Sequence, residues 1–202
     1  MKISTARFLT AVLVLTFLGT TAFSQVAYFP KRSLDTSPNL DKLLIDSYSA
    51  QLKAFKEPSL FELSKSPTAQ SYRFLWLRTF HHPIAVRLDI KADGAGILTT
   101  KVTSGAGGYE PGTLIENSKK PLTSQQTHAF LAKIQQTNFW LLPTATNDQR
   151  GNDGSQWMIE GVNAGRYHVV TRWSPKTGPI RDLGITLAID LAGLNIPKDE
   201  FY

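Results

Sequence analysis

Cysteine is absent from the 202-residue sequence, which excludes disulfides, thiol nucleophiles, thiolate zinc sites and iron–sulfur clusters. Any chemistry must use oxygen or imidazole. The absence does not oppose export, because disulfides are needed mainly where a domain is too small to build a core. No apolar run reaches the ~20 residues that cross a bilayer. Charge of one sign is also scarce: 22 Lys plus Arg face 16 Asp plus Glu, and the basic residues are scattered rather than striped. That pattern suits anionic surfaces mildly and makes no case for nucleic acid. The Gly-x-Ser-x-Gly, Ser-x-x-Lys and His-Glu-x-x-His signatures are missing, as is any phosphate loop ending in Gly-Lys-Ser/Thr. What is present is 42% hydrophobic and 10% aromatic residues, enough for one globular domain with accessory segments.

The chain opens with Lys2 and Arg7, an apolar run over 8–18, and small residues Ala22 and Ser24. This is the plan of a cleaved signal peptide over 1–24, and no cysteine follows it for lipid attachment. The expected location is periplasmic or secreted, with no stable membrane insertion after cleavage. Residues 25–37 show no sustained period and read as a mobile tail. Over 38–71 come a helix and a linker: Ser37 and Pro38 start the helix, and Leu40, Leu44, Tyr48, Leu52 and Phe55 recur at helical spacing.

From residue 72 the period becomes two, and 72–202 is expected to be an α+β domain. Its first strand is apolar on both faces and so should be central or covered on both sides. Asp93-Gly94 turns the chain between two further strands, and a glycine-rich loop over 104–112 leads to a short strand at 113–116. Thr123 and Gln126 form a capping box for the next helix, which ends near Asn138. After a polar loop at 144–154, a hairpin over 155–173 is followed by a helix from Pro179 burying Ile180, Leu183, Leu187, Leu191 and Leu194. The expected fold is α+β, an antiparallel sheet of about five to six strands with helices packed on one face.

Register in the last hairpin is argued from polarity. A three-residue loop, Asn163-Ala164-Gly165, pairs Ile159 with Val169 and puts Gln156, Glu160, Arg166, His168 and Arg172 on one face. A two-residue loop mixes polar and apolar residues, placing Gln156 beside Trp173 and Trp157 beside Arg172, so the longer loop is preferred.

In that register Glu160 faces His168, an arrangement that raises a histidine pKa and serves proton transfer. It is also ordinary decoration of a wet sheet face, and that reading is favoured. The only catalytic candidates are Glu160, His168 and Asp153, as a hydrolase with or without a metal. For ligand binding the candidates are Arg166, His168, Arg172, Trp173 and Tyr109, the last in the glycine-rich loop. Asp148, Asn152 and Asp153, with Asn147, form a loose oxygen cage for a cation, although the segment fails the helix–loop–helix calcium pattern. No cofactor is implied.

The Asp93-Gly94 turn, the helix end Phe139-Trp140-Leu141-Leu142-Pro143, the run Asn152-Asp153-Gly154-Ser155-Gln156-Trp157 and Gly165-Arg166-Tyr167-His168 together carry a resemblance. Over about 72–202 the chain resembles a group of exported bacterial proteins of unknown function, built as hairpin, helix, hairpin and helix. The resemblance implies fold and export and supplies no catalytic residues. The reading with most support is a non-catalytic binding module of the cell envelope whose partner is an envelope protein or an anionic envelope polymer. Its expected surface is the loops 104–112 and 144–154 with the Arg166, His168 and Arg172 face. Oligomeric state is not encoded in any pattern found.

Overall fold

A computed structural model describes residues 26–146, 151 and 153–202; the expected signal peptide lies outside the described residues. Helix α1 (Pro38–Ala54) and the single turn α2 (Leu60–Leu63) precede four strands, β1 (Gln70–Arg78), β2 (Ile84–Ile90), β3 (Gly96–Thr103) and β4 (Leu114–Leu122). Then come α3 (Ser124–Gln136), the hairpin β5 (Ser155–Asn163) and β6 (Arg166–Trp173), and α4 (Pro179–Ile185), which continues in wider π turns over Thr186–Leu191. The strands form one antiparallel sheet in the order β4-β3-β2-β1-β5-β6. The fold is α+β on a six-stranded antiparallel sheet.

The doubly apolar β1 lies inside the sheet and is covered on both sides. Tyr72, Phe74 and Trp76 meet Phe130 and Ile134 of α3 and Ile180, Leu183 and Leu187 on one face. The alternate residues Leu75 and Leu77 meet Tyr48, Leu52 and Phe55 on the other. Helices therefore cover both faces, where one was expected, because α1 folds back onto the side opposite α3 and α4.

The segment read as a mobile tail is part of this second layer. Phe29 and Leu34 are buried, and the buried Asp41 carboxylate accepts the backbone N–H groups of Arg32, Leu34 and Asp35. Those three bonds, opposed by burial, hold the Asp41 carboxyl below its ordinary pKa and wrap the chain around the start of α1. Ser37 precedes the helix as expected, with Pro38 in its first turn, but its side chain makes no capping bond.

The capping box at Thr123 and Gln126 is present. The strand expected at 113–116 runs on to Leu122, and its residues are exposed along most of its length as an edge strand. Lys119, Lys120 and Pro121 on that edge discourage pairing with a further strand. Among the described residues no helix is long and apolar enough to cross a membrane.

Candidate functional site

In this antiparallel sheet β1, β3 and β6 end where β2, β4 and β5 begin, so their connecting loops gather at one end. The loops lie on one another closely. The Gly107 N–H donates to Arg78 and His81 carbonyls at 2.8 and 3.1 Å, and a Cβ at Gly107 would stand 2.4 Å from the Arg78 nitrogen. The glycines of 104–112 thus permit close backbone approach more than free motion. Gly154 is held in the same way: its carbonyl accepts the Thr79 N–H and hydroxyl at 2.9 and 2.7 Å.

Across this end runs the segment 198–202. The Tyr202 main-chain oxygen accepts the Trp76 and Trp157 indole N–H groups at 3.3 and 3.1 Å and the Ser155 hydroxyl. Phe201 packs on both indoles, with Arg181 over its face at 4.8 Å. Glu200 pairs with Arg78 at 2.7 Å. Arg78 is almost wholly buried and its Nε has no partner among the described residues; burial lowers its pKa, against the pull of Glu200.

An open cavity lies on each side of this segment. One, of about 460 Å³, is walled by Phe80, Trp173, Phe201 and Tyr202 with Lys176, Arg181 and Asp153 at its rim. The other, about 640 Å³, is lined by Arg78, His81, His82, Tyr109, Glu110 and Glu200 among others, and shares Phe80. Both lie within the size range of small-ligand sites. Phe80 and Tyr109 are exposed and in ring contact.

The sequence matches no known protein family and no curated protein.

Of the residues singled out from the sequence, Trp173, Tyr109 and Asp153 reach this end. Arg166, His168 and Arg172 do not form an open binding face. They clasp the segment that follows α3 against the sheet edge: Arg166 stacks on Trp140 at 4.7 Å, and His168 Nε2 bonds the Leu142 carbonyl at 3.0 Å. Arg172 donates to the carbonyls of Pro143 and Thr144. Burial, with Arg166 nearby, lowers the His168 pKa against its bond to Leu142, so the ring is neutral at neutral pH.

The expected pairing of Glu160 with His168 is corrected. The hairpin turns on two residues, Ala164 and Gly165, both at positive φ, so Asn163 pairs with Arg166, Glu160 with Val169 and Gly161 with His168. Gln156 does stand beside Trp173, and Trp157 beside Arg172. Alternation then puts Glu160 and His168 on opposite faces of the sheet. Asp153 is exposed at the sheet end, so the three residues of the hydrolase reading do not converge in one pocket.

Polarity misled the register because Glu160 is not on a wet face. It is fully buried, accepting from Arg73 Nε at 2.9 Å and from the Tyr167 hydroxyl at 2.9 Å. Arg73 also reaches Glu57, which pairs with Arg87 and Lys101 at 2.8 and 2.7 Å. Burial raises the Glu57 carboxyl, but these three cations outweigh it and hold it low. At Glu160 burial prevails over Arg73 and Tyr167 and raises the carboxyl. Sequence reading missed this network; the one signal was a cation recurring within each of three successive strands, Arg73, Arg87 and Lys101. Closed off from solvent, it organises the interface between sheet and α1–α2.

Asp148 and Asn152 of the expected cation cage lie outside the described residues, as does Asn147. Among the described residues no three His, Asp or Glu side chains are placed to hold a metal ion.

Proposed function

We propose that the chain is an exported, non-catalytic binding module of the cell envelope that engages its partner through the loop end of the sheet. The observation that carries this is the cavity walled by Phe80, Trp173, Phe201 and Tyr202, whose rim carries two cations, Lys176 and Arg181, against one carboxylate, Asp153. Aromatic walls supply contact area at low entropic cost, and flanking cations select negative charge. An anionic partner, protein or polymer, fits that chemistry. The leader pattern over 1–24 supports export to where such partners occur.

The test is capture of envelope components by tagged residues 25–202 at low and high salt, repeated with Trp173→Ala and Lys176→Glu. Both variants should retain the parental melting temperature within a few degrees and lose at least tenfold in capture. Capture that is unchanged in both removes this end of the molecule as the binding surface.

A further inference from the structure

The segment 198–202 is attached to the sheet end in an unusual way. Its backbone N–H groups at Glu200 and Phe201 donate to the Pro197 and Lys198 carbonyls, three residues back along the chain, and none of Lys198–Glu200 is buried. It is held by what its side chains and one oxygen offer to the body of the protein. A carboxylate meets the buried Arg78, a ring sits on Trp76 and Trp157 under Arg181, and a main-chain oxygen meets two indole N–H groups and a hydroxyl. On the receiving side Trp76, Trp157 and Ser155 are all fully buried. The receiving groups stand on the paired strands β1 and β5 and are covered by the segment itself, whereas the occupant is partly exposed and joined through a chain without regular structure. The two cavities flanking it share Phe80, so displacement of the segment would join them into one groove.

We infer that this groove is a peptide-binding site whose resident occupant is the chain's own segment 198–202, and that its exchange partner is a protein segment carrying an acidic residue followed by an aromatic one. This inference rests on the binding-module reading and names the class of partner, which takes the place of Phe201 and Tyr202 and meets the remaining lining of the cavity, Phe80, Trp173, Lys176 and Arg181. The incoming carboxylate replaces Glu200 on Arg78, the ring replaces Phe201 on the indoles, and the next carbonyl takes the bonds of the Tyr202 oxygen. Because the resident segment is covalently linked, it competes at an effective concentration of about millimolar. Weakening the resident segment therefore opens the groove.

The experiment follows the indole N–H resonances of Trp76 and Trp157 while an acetylated Lys-Asp-Glu-Phe-Tyr peptide is added to the full chain. In the Glu200→Gln/Phe201→Ala variant both resonances should move from their parental positions. Peptide should return them, with a Kd at least tenfold below that for the unaltered protein, and a scrambled peptide should not. The single variant Glu200→Gln, which leaves the aromatic contacts in place, should show the same trend more weakly and covers failure of the double variant to fold. No return of either resonance at several millimolar peptide, or equal binding of the scrambled sequence, overturns the inference and makes 198–202 a fixed part of the fold. If peptide fails while envelope capture still depends on Trp173 and Lys176, only this inference falls and the binding-module reading stands.

Discussion

Arg73 sits between two carboxylates in the sheet interior, and its guanidinium is the element of the Glu57–Glu160 network that nothing else replaces. Removing one partner of a buried pair leaves the other charged groups without compensation, which costs roughly 3–5 kcal/mol. Arg73→Met should lower stability by that amount in urea unfolding, and adding Glu160→Gln should recover part of the loss because the two sites share partners. His168 yields a prediction of pH dependence. Its folded pKa is lowered, mainly by burial, so the unfolded chain takes up the proton first as pH falls through about 6.5. Stability should drop through that range and level off below the folded pKa. His168→Gln, which retains a donor for the Leu142 carbonyl, should remove this step from a series of urea midpoints measured between pH 8 and 5.

At the level of elements, the β5–β6 hairpin shows how a turn decides a register. Ala164 and Gly165 have φ of 49° and 82°, the positive pair that a two-residue turn needs to match strand twist. Gly adopts this region freely and Ala does so at a cost of about 1 kcal/mol, whereas Asn tolerates it. Ala164→Asn should therefore raise the melting temperature by a few degrees in a thermal scan without altering the fold. A fall in melting temperature would contradict the strain argument. The capping box of α3 and the Asp93-Gly94 turn were legible because each is local chemistry acting over three or four residues. The hairpin register was not, since it depended on whether Glu160 meets water or Arg73, which comes from a strand 87 positions earlier in the sequence.

On the scale of the whole molecule, α1 and the segment before it are one of two layers covering the sheet. Without them Leu75, Leu77, Met158 and Val169, all buried against Tyr48, Leu52 and Phe55, would form an exposed apolar face of the kind that drives aggregation. Glu57, which compensates Arg73, Arg87 and Lys101, would be lost as well. A fragment of residues 59–202 should accordingly be insoluble or unfolded by circular dichroism, whereas residues 26–202 should unfold cooperatively. Solubility and a cooperative transition in the shorter fragment would show that the sheet stands without this layer.

By itself the sequence determined the elements: the helix after Ser37-Pro38, the strand apolar on both faces, the capped helix before Asn138 and the closing helix from Pro179. Each is written in periodicity and short-range caps, which depend only on neighbours along the chain. Tertiary structure alone decided which face each helix covers, which face Glu160 and His168 occupy, and that the loop end brings Trp173, Tyr109 and Asp153 beside the segment 198–202 while Arg166, His168 and Arg172 stay away from it. Those outcomes depend on pairings between residues far apart in sequence, and a buried charge satisfied by a distant partner has the same local pattern as one that faces water.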